Sequence, residues 1–193
     1  MSRFRTRLEP EGTMTVEALR RRRPQTLADL LETHGREIQA VAYLILRDRP
    51  AAEDVTIETL LTAFEKGGSI RDDTAVRAWL LKVASNKALA IRRTGSRFVN
   101  LDLVPERAAP GDLAGDAASH LALLEGVADL PPAMRAAVVL RYYSDLPVEE
   151  VAAALGKSPN TIKAQLQTAL DRLRRSLADP AADAATPREA RHA

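Results

Sequence analysis

Residues 147–178, PVEEVAAALGKSPNTIKAQLQTALDRLRRSLA, decide the fold. Val151, Ala152 and Leu155 recur at helical spacing, and Glu149 and Glu150 stand where acidic side chains complement the positive end of a helix dipole. Gly156 is predicted to end this helix. Ser158 suits the N-cap of a second one, with Pro159 in the first turn, where its missing N–H costs nothing. From there Ile162, Leu166, Ala169, Leu170, Leu173 and Leu177 make a continuous apolar stripe. At about 100° per residue the opposite face carries Asn160, Lys163, Ala164, Gln167, Thr168, Asp171 and Arg175. Helix, short glycine turn and second helix match the helix-turn-helix, whose second helix enters the DNA major groove. The same pattern also closes helical bundles without DNA, so a plain αα-hairpin stands beside the DNA reading.

Around that stretch the chain has 193 residues, 46% hydrophobic and 28% charged, enough to bury a core in one ordinary domain or two small ones. The formal net charge is only +2, so its uneven distribution is more informative than its sum. No cysteine is present, which excludes disulfides, thiol catalysis and cysteine-based zinc sites and makes a reducing cytoplasm the natural compartment. No apolar run reaches the roughly 18 residues needed to span a bilayer, and no signal-peptide core is read at the N-terminus. No membrane insertion is expected.

Going back along the chain, residues 1–24 carry Arg3, Arg5, Arg7 and Arg20 to Arg23 and are read as a basic, disordered arm. A helix is predicted from Thr26, with Leu27, Leu30, Leu31, Ile38, Val41, Leu44 and Ile45 on its apolar face. Pro50 resets the pattern after Asp48. In the next helix Val55, Leu60, Leu61 and Phe64 are expected inside, and Glu53, Asp54 and Glu58 outside. Gly67 and Gly68 open a loop, GGSIRDD, and Asp73 or Thr74 is expected to cap a third helix reaching about Arg93.

Between residues 77 and 97 stand Arg77, Lys82, Lys87, Arg92, Arg93 and Arg97, with no acid. Trp79, Leu80, Val83, Ala84 and Ile91 fall on one side of the wheel; Lys82, Ser85, Asn86, Arg92 and Arg93 fall on the other. Lys87 lies within the apolar arc and must snorkel. Residues 98–119, with Asp102, Glu106, Asp112 and Asp116 against Arg107, read as a flexible acidic linker. A second helical unit spans 120–178, with Leu121, Leu124 and Val127, then Met134, Val138, Val139, Leu140 and Tyr142 toward the core. Residues 179–193 are expected to be a disordered tail. The fold class is all-α: helical domains over 25–97 and 120–178, the second containing the helix-turn-helix.

Three blocks in this order, AAEDVTIETLLTAF (51–64), AWLLKVASNKALAIRR (78–93) and residues 130–174, resemble the bacterial extracytoplasmic-function (ECF) sigma factors. These are small promoter-recognition subunits of RNA polymerase. The resemblance implies that Asp54 and Glu58 dock on core polymerase, and that the loop 67–73 with Lys82, Asn86, Arg92 and Arg93 opens and reads the minus-ten element. Asn86 would line a pocket for a flipped base. Ser158, Asn160, Thr161, Lys163, Ala164, Gln165, Gln167 and Thr168 would read the minus-thirty-five element. Glutamine suits adenine, and lysine suits guanine or phosphate. Ile57, Ala90, Gln165 and Thr168 depart from the family, which commonly has Gln, Asp and two basic residues there; fewer basic residues on the reading helix imply a shallower salt dependence. Expected partners are core polymerase, promoter DNA and an anti-sigma factor, and the free chain is expected to be a monomer.

Two other functions fit parts of the chain. A stand-alone helix-turn-helix regulator explains 120–178 but leaves the first unit without a task. A sigma-like decoy that binds only proteins is consistent with the departures. An enzyme is not expected: His34, His120 and His192 are scattered and no glycine-rich phosphate loop follows a strand. No metal or other cofactor is predicted, since Glu53, Asp54 and Glu58 have no histidine within helical reach.

Overall fold

The computed structural model describes residues 16–21, 24–70, 72–94 and 115–178. Its elements are α1 (Val16–Arg21), α2 (Pro24–Leu46), α3 (Arg49–Lys66), a 3₁₀ turn (Gly67–Ser69), α4 (Ala75–Arg93), α5 (Gly115–Asp129), α6 (Pro132–Val138), a π-helical turn (Val139–Tyr143), α7 (Val148–Leu155) and α8 (Pro159–Ala178). No strand occurs among the described residues.

Helices α2, α3 and α4 pack on one another around Leu30, Ile38, Val41, Ile45, Val55, Leu80, Leu81 and Ala84. Asp48 caps α3 by accepting from the Ala51 N–H at 3.0 Å, with Pro50 in the first turn, so one of the free N–H groups at the helix start is satisfied. Lys87 leaves the apolar arc as required: its Nζ reaches Glu58 Oε2 at 2.7 Å. Ser85 instead lies in the core, where its hydroxyl donates to the Leu81 carbonyl at 2.6 Å; satisfying a polar group on its own helix lets the packed side admit it. Leu61, expected inside, is exposed.

The cap of α4 also differs from expectation. Asp72 accepts from the Ala75 N–H at 3.1 Å, whereas Asp73 Oδ1 accepts from the Val16 N–H at 2.6 Å. Val16 and Leu19 are buried, so residues 16–21 form an ordered helix within the segment read as a disordered arm. Basic composition masked two apolar residues spaced for one helical turn. Residues 1–15 lie outside the described residues, as do 95–114 and 179–193, most of the expected linker and all of the tail. Helix α5 begins at Gly115, inside the stretch assigned to the linker.

In the second group, Gly156 ends α7 at φ 63°, ψ 39°, the left-handed geometry that glycine adopts without steric cost. Ser158 Oγ then accepts from the Thr161 N–H at 3.1 Å and caps α8. Ile162, Leu166, Ala169 and Leu173 are buried as predicted, while Leu177 is exposed past the end of the packed surface. The π turn, marked by Ser144 N–H donating to the Val139 carbonyl at 3.1 Å, adds a residue to the helical period. Tyr142, expected in the core, is therefore turned out, and Tyr143 is half-buried.

No local signal in the sequence marks the docking of the two groups on each other. Helix α4 packs against α7 and α6, and α2 against α6, so a single buried cluster runs through both groups. Arg135, 3% exposed, lies at this seam. Its Nη1 donates to the Ile45 carbonyl at the end of α2 at 2.7 Å, and its Nη2 to the Ala128 and Leu130 carbonyls at the end of α5. Helix C-termini present unpaired carbonyls and a partial negative charge, which a guanidinium fork matches. Burial first, then Arg92 and Arg47, push the Arg135 guanidinium down to about 10, with Asp129 opposing.

Candidate nucleic-acid interface

Helix α8 presents its candidate reading face to solvent. Asn160, Thr161, Lys163, Ala164, Gln167 and Thr168 are exposed over the buried stripe, as is Ser158 just before them. Ser158 and Thr161 share a hydroxyl contact at 2.8 Å, Thr168 Oγ1 donates to the Ala164 carbonyl at 2.9 Å, and Gln167 Nε2 donates to Asp171 Oδ1 at 3.2 Å. Gln165 alone among these positions turns toward the protein. It is half-buried beside Leu166 and Ala169, and its Oε1 is buried without a partner. The face thus combines one cation with small and amide side chains, a mixture that admits close approach to base edges.

Helix α4 behaves differently. Lys82 and Arg93 are exposed and Arg92 is half-buried, forming a basic edge. Asn86 Nδ2, however, donates to the Ala154 carbonyl on α7 at 3.1 Å. Arg77 bridges the groups in the same manner, its Nε donating to Glu37 Oε2 at 2.9 Å and its Nη2 to the Ser144 carbonyl at 2.6 Å. Asn86 also lies eleven residues beyond Ala75, about 16 Å of helix rise from the loop that precedes α4. Asn86 therefore stands about three helical turns along α4 from the loop.

On α3, Asp54, Ile57, Glu58 and Leu61 fall at i, i+3, i+4 and i+7 and are all exposed. Two carboxylates and two large apolar side chains form one stripe, which spacing alone does not reveal because Leu61 also suits the core-facing side. Among the described residues no group of acids and histidines is arranged to hold a metal. No helix there is long and apolar enough to cross a membrane.

Comparison with known proteins finds two family models along the chain. Residues 30–98 match the model of sigma-70 region 2, and residues 120–173 that of sigma-70 region 4. The ECF RNA polymerase sigma factor SigL of Mycobacterium tuberculosis is 31% identical over 155 residues, covering 77% of this chain and 86% of that protein. This chain belongs to the ECF sigma factors. Similar to this sigma factor is the RNA polymerase sigma-E factor of Streptomyces coelicolor, 33% identical over 140 residues, 70% of this chain and 77% of that one. Among solved structures, the sigma factor RpoE in complex with the anti-sigma factor NepR from Bartonella quintana aligns with a TM-score of 0.65 at 22% identity. It covers 80% of this chain and 98% of that one, a likeness of fold.

Proposed function

We propose that this sigma factor binds core RNA polymerase and confers promoter choice on it, reading the minus-thirty-five element with α8 and the minus-ten element with the loop 67–73 and the basic edge of α4. The carrying observation is α8: a capped helix, its apolar stripe buried, with Asn160, Lys163, Ala164, Gln167 and Thr168 left facing solvent. Lys82, Asn86, Arg92 and Arg93 would track and read the melted strand, and Asp54, Ile57, Glu58 and Leu61 would dock on polymerase. The chain acts as a non-enzymatic subunit in the cytoplasm, with its reading units near 25–97 and 120–178. NepR on a sigma factor of like fold supports an anti-sigma partner as a further expectation.

The docked state is not the reading state. Elements named for positions 10 and 35 lie about 25 base pairs apart, roughly 85 Å at about 3.4 Å per pair. Asn86 and Ala154 are held 3.1 Å apart, so α4 and α7 must separate before both elements are engaged. Polymerase binding would supply that opening.

The deciding experiment is titration of the purified chain into core bacterial polymerase, followed by transcription from a randomised promoter library. One-to-one binding with recovery of a two-part motif is expected. Duplex binding by the chain alone, with no polymerase binding, would replace the reading by a stand-alone regulator.

A further inference from the structure

We propose that α1 is a strap that fixes the shape of the loop 67–73, with Leu19 and Arg20 as positioning residues for reading the minus-ten strand; this rests on the promoter reading above. Helix α1 grips both shoulders of the loop. At the near shoulder Arg20 Nε donates to the Gly68 carbonyl at 3.2 Å, and at the far one the Val16 N–H donates to Asp73 Oδ1 at 2.6 Å. Val16 and Arg20 are four residues apart, about 6 Å of rise, so one helical turn sets the spacing of the grips. Between them Leu19, 1% exposed, lies directly on Gly67: a Cβ there would meet Leu19 Cδ1 at 3.0 Å and Cδ2 at 3.3 Å. Thr26 Oγ1 donates to the Ala18 carbonyl at 3.2 Å and ties the strap back to α2.

Gly67 and Gly68 bring no side chains to the near half of the loop, while Ile70, 4% exposed, anchors its middle in the core. Leu19 supplies the missing packing from outside the loop. A loop ordered before the strand arrives loses less affinity to ordering than one ordered by it. Helix α1 also walls a cleft of about 500 Å³ lined by Leu19, Arg20, Glu65, Lys66, Gly68 and Ser69, in which one carboxylate and two cations stand beside the loop backbone.

The test uses the full chain bound to core polymerase and a randomised pool of single-stranded deoxyoligonucleotides, sequenced after selection, with hydrogen exchange of amides 67–73 measured in parallel. Leu19→Ala should raise exchange in the loop and weaken preference for the selected motif about fivefold, with polymerase affinity and pool-averaged binding unchanged. Leu19→Met should restore both. Arg20→Met, which releases the grip on the Gly68 carbonyl from outside the loop and keeps the aliphatic stem, should act in the same direction if Leu19→Ala does not fold. Unchanged exchange in these variants would show that α1 does not hold the loop. Raised exchange with the motif intact would overturn the positioning role. A wild-type complex that selects no motif would overturn the promoter reading and the positioning role with it, while exchange still reports whether α1 holds the loop.

Discussion

The amide of Asn86 is committed to the carbonyl of Ala154 at 3.1 Å, across the seam between the two helical groups. That bond takes one of the two Nδ2–H donors and fixes where the side chain points. If Asn86 reads the minus-ten strand as proposed, docking presses α7 against the side chain that must face the base, so weakening the seam elsewhere should favour reading. Arg77→Ala removes the bonds to Glu37 and Ser144 without opening a core cavity. Because the chain has no cysteine, dyes placed by Glu32→Cys and Arg172→Cys would report the separation of the groups. We expect lower energy transfer in the Arg77→Ala background and severalfold tighter binding of single-stranded minus-ten oligonucleotides, since one hydrogen bond contributes about 1 kcal/mol.

Replacing Arg135 should be costly for a different reason. Three carbonyls at the ends of two helices depend on one guanidinium. Arg135→Ala should lower stability in urea unfolding by about 2–4 kcal/mol, and Arg135→Lys should recover little, because an ammonium lacks the planar fork.

At Gly156 the backbone sits at φ 63° with open space where a Cβ would point. Gly156→Ala should cost about 1 kcal/mol through backbone strain alone, seen as a lower unfolding midpoint with unchanged helix content.

Lys163 is the only cation on the exposed first two turns of α8. Lys163→Ala should weaken duplex binding across sequences and reduce the slope of log affinity against log salt by about 0.9. An unchanged slope would remove Lys163 from the phosphate contacts.

His34 titrates below its ordinary value because burial disfavours its charge, with Arg77 acting in the same direction and Glu37 opposing. Between that lowered value and about 6.5 the unfolded chain binds more protons than the folded one, so stability rises with pH through this window and is flat above it. Thermal melts from pH 5 to 7.5 should show that rise, and His34→Gln should flatten it.

The helix-turn-helix was legible because each of its signals is local: a glycine that tolerates left-handed backbone, a serine cap, and a stripe of period 3.6. The same holds for the Asp48 cap and for Lys87, whose awkward position forced it outward to Glu58. What escaped the sequence was set by distant contacts. Helix α1 is too short to show a period and gains its place from Gly67 and Asp73, about 50 residues away along the chain. Arg135 reads as a surface cation in any local window, yet it is buried because carbonyls from residues 45, 128 and 130 converge on it. The turn at 139–143 carries no composition signal for its extra residue, which is why Tyr142 was assigned the face that Tyr143 takes up.

Arg135 terminates a helix in each group with the same side chain. Fraying at the end of α5 and parting of the two groups are therefore thermodynamically coupled: an event that frees one set of carbonyls lowers the barrier to freeing the other. The chain is expected to open as one cooperative unit, with slow-exchanging amides near the ends of α2 and α5 released in concert.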